Sequence, residues 1–224
     1  MDLSIFTPEL LKAIGWGIIE TLYMTLFSTL LAYVIGLPVG ILLVTTAKDG
    51  VTPLPWFNTI LGFIVNLMRS IPFIILLILV LPFTRLVVGT TIGSTATVVP
   101  LVISAAPFIA RMVESSLREV DAGVIEAAHS MGATPIQIIW KVMLPEATPS
   151  LIIGSAIAVT TILGYTAMSG FVGGGGLGTI AVNYGYYRYK TDVMLVTVLL
   201  LVLIVQVFQE LGMRISLAGD KRAR

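Results

Sequence analysis

Apolar residues fill this chain in long runs rather than in the short alternations of a soluble sheet or the one-sided stripes of a soluble helix. About 20 mostly apolar residues suffice for a helix to cross the hydrocarbon core of a bilayer. Five runs meet that length: about Ile18 to Thr46, Phe57 to Phe83, Thr95 to Val113, Ser150 to Met168 and Val193 to Gly212. The pattern predicts an all-α, polytopic membrane protein with five transmembrane helices, built as one transmembrane domain over residues 1–224. No internal repeat is visible. Pro38, Pro72, Pro100 and Pro107 fall inside the runs. Each removes a backbone donor and bends its helix, either as a packing kink or as a hinge of a moving bundle.

One polar segment, about 118–145, interrupts the apolar pattern between the third and fourth runs. It reads as two short helices and a turn. Val120, Val124, Ala127 and Ala128 share a helical face, Asp121 sits where an acid complements the helix dipole, and Gly132 ends the helix. Thr134 then serves as N-cap and Pro135 as first helical residue, with Ile136, Ile139, Trp140 and Met143 as an apolar stripe turned toward the membrane domain. Pro145 and Pro149 break the chain before the fourth run. The segment is either a plain interfacial connector or a surface to be gripped. The small Ala127–Ala128 pair before a glycine turn, which lets another backbone come close, favours the second.

Composition sharpens this picture. Only 11% of the 224 residues are charged and 57% are hydrophobic, against about 25% charged in a soluble domain. A net charge of +1 gives no basic face for nucleic acid, and zero cysteines exclude disulfides and thiolate chemistry. His129 is the one histidine, so no His-based metal site is expected. The opening "MDLSIFTPELLKAIG" has acids where a signal peptide needs cations, and a retained helix is expected.

Lys and Arg set the expected orientation. With the N-terminus outside, the inner connectors hold eight (Lys48, Arg111, Arg118, Lys141, Arg214, Lys221, Arg222, Arg224) and the outer ones four (Lys12, Arg85, Arg188, Lys190). N-outside and C-inside follows, with the polar segment in the cytoplasm. Arg69 lies within the second run, either buried deep or reaching to the cytoplasmic interface.

The polar segment resembles the "EAA" loop of bacterial ABC-transporter permeases: E-A-A, three residues, G, nine residues, I-x-L-P. Here these are Glu126-Ala127-Ala128, Gly132 and Val142-Met143-Leu144-Pro145, with Val in place of the usual Ile. "RSIPFIILLILVLPFTR", "APFIARMVE", "MGATPIQI" and "GYTAMSGFVGGGGLG" are similar to methionine-importer permeases, and the likeness runs from about Glu20 to Tyr189. The resemblance implies a coupling helix seated in a groove of an ATPase, with Glu126, Ala127, Ala128, His129, Gly132, Ala133 and Pro145 as the transmission contact. It also implies two copies of this chain, two cytoplasmic ABC ATPase subunits, an external substrate-binding lipoprotein, and residence in the bacterial inner membrane.

No G-x-x-x-x-G-K-[ST] occurs, so ATP and Mg are expected on the partner, with no cofactor, metal or catalytic residue in this chain. The string "GGGGLG" at Gly173–Gly178 matches a dinucleotide fingerprint but follows a membrane helix instead of a strand. It reads as a flexible or tightly turned external loop, whose pliability would let an outer mouth open and shut. For the cargo path, Gly154, Ala158, Thr161, Tyr165 and Met168 share a face of the fourth helix. That face is either packing or the lining of a two-fold axis, with Tyr165 and Met168 constricting its outer end. Thr21, Thr25, Ser28 and Thr29 form a rival stripe on the first helix, read mainly as packing. The main reading is an ATP-driven importer permease that moves an amino acid by alternating access. The alternative is a secondary carrier or channel working without an ATPase, which would need intramembrane ion sites and inverted repeats. A purely structural membrane subunit would leave the polar segment unexplained.

Overall fold

A computed structural model describes residues 6–219, with side chains placed through 216. Lys221, Arg222 and Arg224 of the charge argument lie outside the described residues. The described chain is helical, without a strand: α1 Pro8–Thr45, α2 Pro55–Ser70, α3 Phe73–Leu79, α4 Leu81–Val88, α5 Ser94–Arg118, α6 Ala122–Ser130, α7 Pro135–Ile138, α8 Leu144–Met168, α9 Gly176–Ile180 and α10 Thr191–Gly219. Single π-helical turns occupy Ile139–Met143 and Ala181–Tyr186. Four helical stretches are long and apolar enough to cross a membrane: Pro8–Thr45, Ser94–Arg118, Pro135–Tyr186 and Thr191–Ser216. A fifth arises if α2 and α3 are taken as one broken span. The second run is therefore interrupted. Pro72 adopts φ −57° and ψ 134° ahead of α3, because its ring disfavours a helical residue before it and it brings no N–H to continue the ladder.

The chain divides into two compact units, each assembled from separate stretches of sequence. The first comprises 1–31, 71–104 and 159–209. Its core is Leu10, Ile14, Leu177, Ile180 and Val193. Thr21, Thr25 and Thr29 are buried on α1, and each hydroxyl donates to the carbonyl four residues back, so the helix absorbs its own polar groups. The Thr21 hydroxyl oxygen also accepts from the Leu177 N–H at 2.9 Å, and a Glu20 carboxylate oxygen accepts from the Gly176 N–H at 2.8 Å. Of the stripe read as packing, Thr21 thus also seats the glycine run.

That run is not a loose loop. Gly174, Gly176, Leu177 and Gly178 are buried. Thr97 donates to the Gly174 carbonyl at 3.1 Å, and the Gly93 N–H to that of Gly173 at 3.0 Å. A Cβ on Gly178 would fall 2.5 Å from the Ala167 carbonyl oxygen. The glycines are there for close backbone approach, which corrects the pliable outer mouth expected from composition.

The second unit comprises 32–70, 105–158 and 210–224. Here α1 meets α5 through Gly36 and Gly40: a Cβ on either would lie within 2.8 Å of the Ala106 or Ala110 carbonyl oxygen. Small residues four apart let two helices approach this closely. Leu43, Val65 and Ala110 form the core joining α1, α2 and α5. Asn58 donates to the Leu43 carbonyl at 2.6 Å and to the Thr46 hydroxyl at 3.0 Å, fixing the start of α2 against the end of α1. On α8, Gly154 packs against the Met112 thioether and the Ser150 hydroxyl meets that of Ser116 at 3.0 Å.

Candidate functional site

The polar segment folds as a helix, a glycine turn and a second helix, and local chemistry fixes each boundary. After α5 ends at Arg118, the Asp121 carboxylate accepts from the Gly123 N–H at 2.7 Å and caps α6. The helix stops at Gly132, whose φ of 81° lies in the left-handed region. There the Ala133 N–H reaches back to the Ala128 carbonyl at 3.1 Å. Thr134 and Gln137 then form a reciprocal capping box: the Gln137 side chain accepts from the Thr134 N–H at 2.9 Å and the Thr134 hydroxyl accepts from the Gln137 N–H at 3.4 Å.

No residue of α6 is buried. Glu126, Ala127, His129 and Gly132 are exposed, with Ala128 and Ala133 half-buried. The structure brings these six together on one helix and its turn. Pro145 is not with them: it is exposed in the first turn of α8 and borders a separate groove with Tyr33, Leu37, Trp140 and Leu144.

The apolar stripe behind this surface needs correcting. Ile138 and Met143 are buried, whereas Ile136 and Trp140 are 69% and 65% exposed. Ile136 precedes the π-helical turn at Ile139–Met143 and is already on the exposed side; the turn adds a residue to the repeat, so Ile136 and Met143, seven positions apart, do not share a face.

Beside α6 lies a cavity of 510 Å³. Its walls include Leu117, Ile138 and Met143, with Asp49, Glu126 and His129 also lining it. Asp49 comes from the α1–α2 turn, which the apolar pattern marks only as a connector. The "KDG" turn at 48–50 was the available signal, but a turn does not reveal what it packs beside.

The residues of the α8 face differ in their surroundings. Ala158 is fully buried within its own chain, and Gly154 is buried too, against the Met112 side chain. Tyr165 stacks on Phe73 with ring centroids 4.4 Å apart. Met168 is 47% exposed at the end of the helix, and Thr161 is half-buried. No cluster of three or more metal-ligating side chains exists among the described residues.

Sequence and fold comparisons agree with this geometry. The model of a family described as the binding-protein-dependent transport system inner membrane component matches residues 36–212. A probable D-methionine transport system permease of Vibrio cholerae serotype O1 is 47% identical over 204 residues, 91% of this chain and 89% of that protein. Its counterpart in Pasteurella multocida is 48% identical over 216 residues, 96% of this chain and 100% of that protein. A chain of the MetNI methionine ABC transporter, solved in inward-facing conformations, superposes with a TM-score of 0.95 at 47% identity. The match covers 96% of this chain and 100% of that one. A chain of an amino acid ABC transporter solved with histidines, at 20% identity and a TM-score of 0.79, shares the fold. The exposed helix–turn–helix, the apolar helices around it and these matches place the chain in the family of binding-protein-dependent transport system inner membrane components.

Proposed function

We propose that this chain is the permease of an ATP-driven methionine importer, working as a homodimer with two cytoplasmic ABC ATPase subunits and an external binding lipoprotein. In this reading the N-terminus is outside and the C-terminus inside. α6 and its glycine turn seat in the ATPase, and nucleotide-driven closure of the ATPase pair moves α6 and, through it, the bundle. ATP and Mg belong to the partner. The observation that carries the reading is α6 itself: a capped helix with no buried residue, in a chain otherwise made for lipid. Such a helix gains little from its own fold and is stabilised by what it docks against. Methionine follows from the relatives, which are named for D-methionine transport, and a thioether suits the apolar, polarizable Met168 and Tyr165 proposed to constrict the outer end. Thr161 stays in this proposal as a neighbour of Tyr165 on α8.

The test is reconstitution with the cognate ATPase and binding protein in liposomes. Wild-type chain should take up methionine only with ATP. Glu126→Lys and Ala127→Trp should lower both ATPase co-purification and uptake by about tenfold or more, which is about 1.4 kcal/mol of docking energy. Nucleotide-free uptake by the wild-type chain would instead establish a carrier.

A further inference from the structure

Arg111 carries a charge into the interior of α5, and nothing in the proposed docking of α6 uses it. Arg111, counted above among the inner-connector cations, lies within the helix, and its side chain is only 23% exposed. One guanidinium nitrogen, Nη1, donates to the Glu114 carboxylate. The other, Nη2, donates to the backbone carbonyl of Gly62 on α2 at 2.9 Å. The second contact is close-fitting: a Cβ on Gly62 would sit 3.3 Å from Nη2, and the guanidinium would have to give by a few tenths of an ångström. Glu114 is 13% exposed and also receives Arg118, whose Nη1 lies 3.8 Å from Asp49. Arg118 and Asp49 both line the cavity beside α6. A chain of charges therefore runs from the α6 cavity along α5 to the backbone of α2.

A buried ion pair is weak as a source of stability, because desolvation offsets most of the attraction; its best-attested use is to fix one arrangement of elements over another. The arrangement here is the register of α2 on α5, and α5 leads directly into α6. The Arg111 Nε is buried without a hydrogen-bond partner among the described residues.

We propose that Arg111 is a positioning residue for coupling. It ties α2 to α5 through the Gly62 carbonyl, so that displacement of α6 is passed to α2. An arginine is required because its rigid fork serves two acceptors at once, whereas the single nitrogen of lysine cannot occupy both Nη positions. The inference rests on the ATP-coupled reading above.

The test is Arg111→Lys, which keeps the charge beside Glu114 and loses the Gly62 contact, in the complex with its ATPase. Two quantities are read: hydrogen exchange of the α2 amides, and methionine moved per ATP hydrolysed. Exchange in α2 should speed up and the transport-to-ATP ratio should fall about fivefold or more, the usual range of a coupling free energy. The KM for methionine-loaded binding protein should stay unchanged. If either α2 exchange or the ratio stays at the wild-type value, the proposal is overturned. Should Arg111→Lys fail to assemble, Gly62→Ala, which displaces the guanidinium by a few tenths of an ångström, carries the same two readouts. Failure of the ATP-coupled reading is seen separately, as nucleotide-independent uptake by the unaltered complex.

Discussion

Gly132 and Gly176 share a left-handed backbone, with φ of 81° and 71°, but their surroundings differ. A Cβ at Gly132 would meet nothing within 4 Å, whereas at Gly176 it would fall 2.6 Å from the Thr21 hydroxyl oxygen and 2.8 Å from the Met24 methyl carbon. Gly132→Ala should therefore cost only the left-handed backbone term, about 1–2 kcal/mol. Gly176→Ala adds an overpacking term of about 1–3 kcal/mol and displaces Thr21 from the Leu177 N–H. Thermal unfolding in detergent checks this: the midpoint of Gly176→Ala should fall clearly further than that of Gly132→Ala, and an equal fall would refute the packing account. The sequence announced a glycine run and a glycine stop. It did not announce that one is enclosed and the other open, because the atoms that enclose Gly176 come from α1, more than a hundred residues away.

The elements were legible where local chemistry sets them. The Gly132 stop and the Thr134–Pro135 start were readable, since a cap needs only its own neighbours; Asp121 was placed at the helix start as an acid for the dipole, and the structure makes it the N-cap. The π-helical turn was not readable: of the expected stripe Ile136, Ile139, Trp140 and Met143, only Met143 is fully buried, and Ile138 is buried with it. A period of 3.6 cannot foresee one inserted residue. The bend at Pro72 was readable from the proline; that it is sharp enough to break the second run into α2 and α3 was not. The capping box gives a prediction at this scale. Thr134→Ala should weaken α7 by about 1 kcal/mol, so hydrogen exchange across 134–138 should rise roughly fivefold while the α1 and α5 amides stay protected. On α8, Met168→Ala removes the exposed thioether and leaves the Tyr165–Phe73 stack intact. In the proposed gate it should raise the ATPase rate without a matching rise in uptake; a wild-type ratio of the two would remove Met168 from the gate.

At the scale of the whole molecule, apolar composition foretold a membrane protein, and the exposed side chains agree: Leu195, Leu199, Leu203 and Val207 of α10 are each more than half exposed. Such a surface is stable only against lipid or another apolar partner. The division into two compact units, each drawn from three stretches of chain, was not legible, because it depends on which helix meets which. Orientation can be tested directly, for the sequence contains no cysteine. Ser130→Cys at the end of α6 should react with a membrane-impermeant thiol reagent only from the cytoplasmic side, and Tyr187→Cys only from outside. The reverse pattern would invert the proposed topology and place α6 out of reach of any ATPase.

A stretch that is mostly glycine invites the picture of a spring. Between Gly173 and Gly178 the absent side chains instead allow main chain to nest on main chain, with Glu20, Thr21 and Thr97 acting as rivets. Such a joint is stiff under load. Whatever stroke the importer makes, these residues should ride through it as one solid block, and the give must come from elsewhere in the chain.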